Sequence, residues 1–224
     1  MRTRIKFCGM VRPGDVDAGV ALGADVLGLV FHPGSPRFLE IEAAAALRRR
    51  VPSFVAVVGL FVNPADAVLS ETHRRVGLDA IQFHGDEDPA ACARAHALGF
   101  AYWRAVRVRE QGDLLESFAR FPDAEAFVAD AWSEGYGGSG TGFDWSAIPR
   151  QRPRALILAG GLGAHNVAQG ILQVAPMGVD VSSGIQGADP REKDSEKMAR
   201  FVEEVLRADT QRAAQPGERG EASR

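Results

Sequence analysis

Residues 54–62 read FVAVVGLFV, and residues 26–31 read VLGLVF. Both runs are almost wholly apolar instead of alternating between apolar and polar residues, which indicates strands that are buried on both faces. Strands of this kind belong to parallel sheets that are covered by helices. Similar runs rich in β-branched residues recur along the chain, and together they predict eight strands: Arg4–Cys8, Asp25–Phe31, Phe54–Val62, Ala80–His84, Ala101–Val106, Ala126–Asp130, Ala155–Ala159 and Gly178–Ser182.

The longer segments between these strands carry apolar residues at steps of three and four, the pattern of an amphipathic helix. The pattern is clearest in three of them: Ile41–Arg50, Asp88–Leu98 and Ser195–Leu206. Residue types that cap helices predict helix starts at Asn63-Pro64, at Asp88-Pro89 and at Asp194.

Eight strand-then-helix units fit either an open doubly wound sheet or a closed (β/α)8 barrel. The units are similar in length, and no dominant G-x-G-x-x-G pattern follows the first strand. An open sheet of this size would also lack its usual second domain. We therefore expect an α/β protein built as a single (β/α)8 TIM barrel over residues 1–207. Residues 208–224 are almost free of apolar side chains, so they are predicted to form a disordered C-terminal tail.

The charge pattern limits the partners of this chain. Its 224 residues carry a net charge of −3, with both signs interspersed and no basic block, which argues against nucleic acid. No stretch approaches a membrane span, and the apolar run that ends at Cys8 is too short for a signal peptide. Cys8 and Cys92 lie in no metal-like spacing. We expect a cytoplasmic protein without a disulfide or a metal, and the sequence leaves monomer and homodimer both open.

The active sites of such barrels lie at the C-terminal ends of the strands, and a phosphate commonly binds the loops after strands 7 and 8. Here those loops contain Gly-Gly and Ser-Gly pairs. Glycine lets the backbone approach an anion closely, and free N–H groups act as donors. The alternative is that these are ordinary tight turns, since the chain has 25 glycines. We favour a phosphate site formed by four residues: Gly160, Gly161, Ser183 and Gly184.

A second glycine-rich loop follows strand 6, between Gly137 and Gly142. We predict that it adds a mobile wall or a lid to the site.

Three side chains near the strand ends have more than one interpretation. A lone cysteine such as Cys8 is usually a small buried hydrophobe, but Lys6 lies on the same strand face, and a nearby cation favours the thiolate. Asp130 either caps the loop after strand 6 or projects into the barrel mouth. Lys6 either holds the Asp130 carboxylate, positions substrate, or fills the barrel interior as a partnered charge.

Three further polar side chains are candidates for the substrate pocket. The guanidinium of Arg37, which follows Ser-Pro in the loop after strand 2, suits a carboxylate or a phosphate, although an exposed loop arginine is usually just solvated. Gln82 and His84 share one face of strand 4. The alternative for His84 is a structural hydrogen-bonding role.

In chain order these motifs resemble the phosphoribosylanthranilate isomerases, from strand 1 to strand 8. The motifs that carry the resemblance are KFCG (6–9), GSPR (34–37), QFHG (82–85), Asp130 followed by GGSGTGFDW (137–145), LAGGL (158–162), GVDVSSG (178–184) and KD (193–194). The resemblance implies an Amadori rearrangement in tryptophan biosynthesis that needs neither metal nor cofactor.

The resemblance also implies roles for individual residues. Cys8 corresponds to the general base and Asp130 to the general acid of the family. Arg37 corresponds to the partner of the anthranilate carboxylate, and Asp180 is placed to contact a sugar hydroxyl. The turns after strands 7 and 8 hold the substrate phosphate.

The chain departs from the family pattern at a few places. Gln186 stands where a glutamate is common, and QFHG replaces the commoner QLHG. The approach to Lys193 is Asp-Pro-Arg-Glu in place of the usual proline-glycine. Two rival hypotheses remain. One is the related histidine-pathway aminoaldose isomerase, which carries an aspartate where this chain has Cys8, and the other is a non-catalytic barrel that binds a phosphorylated ligand or a partner protein.

Overall fold

Eight parallel strands close into a barrel in chain order, and β8 completes the ring by pairing with β1. The computed structural model describes residues 2–131 and 143–214. Its strands are β1 (Arg4–Cys8), β2 (Val26–Val30), β3 (Ala56–Phe61), β4 (Ala80–Phe83), β5 (Tyr102–Val108), β6 (Ala126–Ala131), β7 (Ala155–Leu158) and β8 (Gly178–Val181). All eight predicted strands are therefore confirmed within two residues at each end, and the open sheet is excluded.

Seven α-helices surround the barrel in the part of the chain that the structure describes. They are α1 (Pro13–Ala21), α2 (Ile41–Arg48), α3 (Asp66–Val76), α4 (Pro89–Ala97), α5 (Gln111–Arg120), α6 (Val167–Val174) and α7 (Ser195–Ala214). Between β6 and β7 the described residues form only a short 3-10 helix, Trp145–Ala147, and not the α-helix expected of a strand-then-helix unit. Pro149 and Pro153 follow closely, and proline cannot supply the backbone donor that a longer helix needs. None of the described helices is long and apolar enough to cross a membrane.

The outward faces of the strands pack against the helices. Phe7 on β1 contacts Phe201 on α7 with ring centroids 6.3 Å apart, and Phe127 on β6 contacts Phe118 on α5 at 4.8 Å. Because side chains alternate along a strand, the neighbours of these outward residues face the barrel interior. This alternation directs Cys8 and its counterparts on the other strands toward the barrel axis.

The predicted tail begins too early. Helix α7 continues to Ala214, beyond the predicted boundary at residue 207. Ala208 is fully buried, and the Asp209 carboxylate accepts hydrogen bonds from the backbone N–H and the hydroxyl of Thr3, at 2.6 and 2.7 Å. These contacts hold the end of the helix against the start of β1. The rest of the predicted tail, residues 215–224, lies outside the described residues.

Two of the three predicted helix starts are confirmed. Asp88 accepts a hydrogen bond from the Ala91 N–H at 2.7 Å, and Asp194 accepts one from the Glu196 N–H at 2.9 Å. The prediction at Asn63-Pro64 is wrong, because α3 begins at Asp66. Asn63 has a φ of 47°, and its side chain accepts a hydrogen bond from the Asp86 N–H, so it joins two loops instead of capping a helix.

Candidate active site

A cavity that is partly open to solvent lies at the C-terminal ends of the strands. Nine of the ten predicted site residues line it: Cys8, Arg37, Gln82, His84, Asp130, Gly160, Gly161, Asp180 and Ser183. The tenth, Gly184, lies behind this lining against the backbone of Leu162 and Gly163. The fold thus brings together residues from loops and strands that are distant in the sequence.

Cys8 ends β1 beside Gly28 of β2, its partner in the strand register. A Cβ atom on Gly28 would lie 2.8 Å from the Cys8 sulfur, so glycine at this position makes room for the thiol. Burial raises the pKa of Cys8, while the positive charges of Lys6 and Lys193 oppose that rise. The thiol therefore has a nearby cation, as the sequence suggested, but desolvation outweighs its effect.

Lys6 pairs with Asp180 and not with Asp130. Its Nζ lies 2.5 Å from Asp180 Oδ2, and both side chains are buried. Burial has the largest effect and by itself lowers the pKa of Lys6, but the Asp180 carboxylate and Cys8 together outweigh burial and leave the pKa raised. The second oxygen of Asp180, Oδ1, is buried and has no hydrogen-bond partner among the described residues. A buried acceptor of this kind calls for a donor, and a sugar hydroxyl would supply one.

Asp130 and His84 are in contact across the cavity wall. His84 Nε2 lies 3.2 Å from Asp130 Oδ2, and His84 Nδ1 lies 3.1 Å from the Gln82 amide nitrogen. Asp130 Oδ1 accepts a hydrogen bond from the Ala131 N–H at 2.9 Å. The Asp130 side chain therefore projects into the barrel mouth, and its Oδ1 also caps the backbone N–H of the next residue.

Arg37 reaches the cavity by passing close to the end of β1. A Cβ atom on Gly9 would lie 2.4 Å from Arg37 Cδ, so the glycine after Cys8 is what permits this path. The guanidinium donates hydrogen bonds to the Gln186 side-chain oxygen at 2.6 Å and to the Pro190 carbonyl at 3.1 Å. Burial lowers the pKa of Arg37. Gln186, one of the departures from the family pattern, thus orients Arg37 without adding a negative charge.

The two predicted phosphate turns face each other. Gly160 and Gly161 have φ values of 76° and 66°, a region that favours glycine. A Cβ atom on Gly184 would lie 2.0 Å from the Leu162 carbonyl oxygen, so only glycine lets the two turns approach this closely. Within the described residues, no hydrogen bond is donated by the backbone N–H of Gly161, Ser183 or Gly184. These N–H groups are available to an anion.

Lys193 is a buried cation to which the sequence analysis assigned no role. Its Nζ donates hydrogen bonds to the Ser182 carbonyl at 3.0 Å and to the Ser182 hydroxyl at 3.3 Å, and that hydroxyl donates to the Cys8 carbonyl. Burial, followed by the charge of Arg37, lowers the pKa of Lys193 to about 8. The KD motif marked its position, but only the fold shows that it lies behind Cys8.

A buried ion pair between Glu87 and Arg104 was also missed. Arg104 Nη1 lies 2.6 Å from Glu87 Oε2, and Arg104 Nη2 donates a hydrogen bond to the Gly85 carbonyl at 2.9 Å. Glu87 in turn accepts hydrogen bonds from the N–H groups of Asn63 and Gly85. The pair fixes the loop that follows His84. No pattern in the sequence signals it, because its members lie on different strand–helix units.

Two further predictions concern the loop expected to form a lid and the binding of metal ions. The glycine-rich loop predicted as a wall or lid, from Gly137 to Gly142, lies outside the described residues. Within residues 2–131 and 143–214, no cluster of three or more histidine, cysteine, aspartate or glutamate side chains is arranged to hold a metal ion.

Comparison with known proteins identifies the family. The family model for N-(5'-phosphoribosyl)anthranilate isomerase matches residues 5–204 of the chain. The chain belongs to this family. An N-(5'-phosphoribosyl)anthranilate isomerase from Dechloromonas aromatica is 48% identical over 209 residues, which cover 93% of this chain and 99% of the relative. The relative of the same name from Methylibium petroleiphilum is 48% identical over 96% of this chain and 99% of its own length.

Solved structures of phosphoribosylanthranilate isomerases share the fold. The Thermotoga maritima enzyme superposes with a TM-score of 0.84 at 36% identity, covering 91% of this chain and 98% of that one. A second structure, at 33% identity and a TM-score of 0.81 over the same shares of the two chains, is a complex with reduced 1-(o-carboxyphenylamino)-1-deoxyribulose 5-phosphate. The resemblance stated from the sequence is confirmed over nearly the whole chain.

Proposed function

We propose that the chain converts N-(5'-phosphoribosyl)anthranilate into 1-(o-carboxyphenylamino)-1-deoxyribulose 5-phosphate, an Amadori rearrangement in tryptophan biosynthesis. The proposal rests on one observation: Cys8, Asp130 and the two glycine turns line the same cavity. This cavity offers a base, an acid and an anion site, which are the groups that such a reaction needs. The names of the relatives point to the same substrate.

Asp130 is the general acid in this proposal. It donates a proton to the ring oxygen of the ribose while the bond between that oxygen and C1′ breaks. The lone pair of the anthranilate nitrogen forms the new C=N bond, so the sugar opens to a protonated Schiff base. A positioned acid of this kind contributes about 10²- to 10⁴-fold to the rate.

Cys8 is the general base. Its thiolate takes the proton from C2′, and the electrons of that C–H bond form the C1′=C2′ double bond while the nitrogen regains its lone pair. The resulting enolamine then tautomerises: the hydroxyl at C2′ loses its proton, C1′ gains one, and the product is the ketone. Cys8 and Asp130 lie on strands β1 and β6, three strands apart around the barrel, so they reach the ribose from different sides.

The remaining polar groups hold the substrate. Arg37 pairs with the anthranilate carboxylate, and Asp180 Oδ1 accepts a hydrogen bond from a sugar hydroxyl. The turns at Gly160-Gly161 and Ser183-Gly184 bind the phosphate. Fixing the two anionic groups at separate loops holds the reacting carbons between the acid and the base.

The rival hypotheses account less well for these residues. The histidine-pathway isomerase would carry an aspartate where this chain has Cys8. A non-catalytic barrel would have no reason to keep both an acid and a base beside the phosphate turns. One solved structure is of monomers generated from the dimeric Thermotoga maritima isomerase. For this chain we propose a monomer or homodimer that works in the cytoplasm on a small phosphorylated substrate, without cofactor, nucleic acid or membrane.

The direct test is turnover. The purified chain, without added metal or cofactor, is supplied with phosphoribosylanthranilate, and loss of substrate fluorescence is followed. The expected result is rapid turnover that inorganic phosphate inhibits competitively. Folded protein that leaves this substrate unchanged would overturn the proposal, and the histidine-pathway substrate would then be the next one to test.

A further inference from the structure

We propose that His84 is a positioning residue for Asp130: it donates its Nε2–H to Asp130 Oδ2, and Gln82 fixes the tautomer that makes this possible. The inference deepens the proposed function and rests on the assignment of Asp130 as the acid. It replaces the substrate-binding role predicted for His84 and Gln82 with a role exerted through Asp130.

Three side chains form a continuous hydrogen-bonded row. Gln82 Nε2 lies 3.1 Å from His84 Nδ1, and His84 Nε2 lies 3.2 Å from Asp130 Oδ2. Gln82 is 1% exposed, and the side chains of His84 and Asp130 are about one-tenth exposed. Little water reaches the row, so each member depends on its neighbour for a hydrogen-bond partner.

The Gln82 amide determines where the ring proton lies. Its Nε2 group only donates, so the facing His84 Nδ1 must accept and carries no proton. The single proton of the neutral ring is then on Nε2, which faces Asp130. In this tautomer His84 is a hydrogen-bond donor to Asp130.

The backbone around His84 is held on both sides. The His84 N–H donates to the Phe61 carbonyl at 2.9 Å, which anchors it to β3. On the other side, Arg104 donates to the Gly85 carbonyl, and Glu87 accepts from the Gly85 N–H. The imidazole thus stands on a rigid segment, as precise positioning of a second group requires.

The effect of this row grows during the reaction. As Asp130 gives its proton to the ring oxygen, negative charge develops on its two carboxylate oxygens. Oδ2 receives the Nε2–H of His84, and Oδ1 receives the N–H of Ala131. Hydrogen bonds to a charged acceptor are about twice as strong as neutral ones, so these bonds favour the state in which the proton has left.

The test uses His84→Leu, which removes the donor, and His84→Gln, whose amide nitrogen can replace Nε2. With His84→Leu we expect kcat to fall about 10- to 100-fold, the range for losing a hydrogen bond to a charged group, while KM changes by less than about twofold. His84→Gln should recover most of kcat. His96→Leu, the same substitution at an exposed position on α4, serves as control and should leave kcat and KM unchanged.

A double variant separates action through Asp130 from direct contact with substrate. In an Asp130→Asn background, His84→Leu should cost nothing further, because the carboxylate on which it acts is gone. Multiplicative losses in the double variant, or a rise in KM with kcat retained in His84→Leu, would overturn the inference while leaving the proposed reaction intact. Absence of turnover by the parent chain would instead reject the proposed function.

Gln82 has its own test. Gln82→Met removes the amide without adding a buried charge, so nothing then fixes the tautomer of the His84 ring. This variant should lower kcat with little change in KM. Full kcat in folded Gln82→Met would overturn the assignment of the tautomer.

Discussion

Lys6 Nζ lies 2.5 Å from Asp180 Oδ2 at the floor of the cavity, two residues along β1 from Cys8. The pair acts on Cys8 in opposite directions. The lysine charge lowers the pKa of the thiol and the aspartate charge raises it, while burial has the largest effect and leaves the pKa raised. Replacing Lys6 and replacing Asp180 should therefore change the reactivity of the Cys8 sulfur in opposite directions.

Lys6→Met should slow alkylation of Cys8 by iodoacetamide at about pH 8, and Asp180→Asn should accelerate it. Only the thiolate reacts, and a pKa change of about half a unit alters its fraction roughly threefold. The rates are measured by mass spectrometry of the Cys8 peptide. Cys92 is the internal control, since burial raises its pKa to about 12 and should keep it unlabelled. Rate changes of the same sign in the two variants would contradict this account.

Lys193 should give the protein a distinct pH dependence of stability. Its pKa is about 8 in the fold against 10.5 for the ordinary side chain. Between these values the unfolded chain binds more protons, so the free energy of unfolding rises with pH, whereas below about pH 8 the cost of burying the charge is fully present.

The measurement compares Cys8→Ser with Cys8→Ser/Lys193→Met by urea unfolding, so that the thiol does not titrate. From about pH 7 to about pH 9.5, the protein that retains Lys193 should gain about 2 kcal/mol relative to the other. A constant difference across this range would mean that the buried lysine keeps its ordinary pKa.

Gly184→Ala should damage the proposed phosphate site. The added Cβ would lie 2.0 Å from the Leu162 carbonyl oxygen, so the two turns must move apart. We expect the inhibition constant for inorganic phosphate to rise about tenfold or more, equivalent to losing one or two hydrogen bonds to an anion. Gly187→Ala is the matched control, because its nearest contact would be an ordinary 3.5 Å to Glu192. Equal inhibition constants in the two variants would count against a phosphate site here.

The contact between Asp209 and Thr3 should stabilise the closed barrel. Thr3 is 2% exposed, and Asp209→Ala leaves both its donors without their acceptor. The expected loss is about 1–3 kcal/mol of unfolding free energy, measured by urea denaturation. Glu203→Ala, at an exposed position on the same helix, should cost less than about 0.5 kcal/mol. Similar costs for the two variants would show that the end of α7 contributes nothing.

The sequence was most informative where a local pattern determines structure. Continuous apolar runs such as FVAVVGLFV predict buried parallel strands, and eight of them at similar spacing predict the barrel. The boundary at residue 207 was wrong for the opposite reason. The residues after Leu206 have little apolar content, and only the fold shows that Ala208 is buried and that Asp209 meets Thr3.

The candidate site shows the same difference between what a local pattern reveals and what only the fold reveals. Polar residues at strand ends could be identified one by one, because the barrel fixes which ends face the cavity. Their partners could not: the sequence left open whether Lys6 pairs with Asp130, and the structure pairs it with Asp180. Pairings between strands depend on the stagger and tilt of the closed barrel, which no single strand encodes.

Turnover by two matched cysteine variants tests the central claim most directly. Cys8 and Cys92 are both buried cysteines, but only Cys8 lines the cavity. Loss of phosphoribosylanthranilate fluorescence is measured for the parent, Cys8→Ser, Cys92→Ser and Asp130→Asn, with folding verified by thermal unfolding. The account predicts that kcat falls about a hundredfold or more in Cys8→Ser and in Asp130→Asn and stays within about twofold of the parent in Cys92→Ser. Retention of parental kcat in folded Cys8→Ser or Asp130→Asn would contradict it.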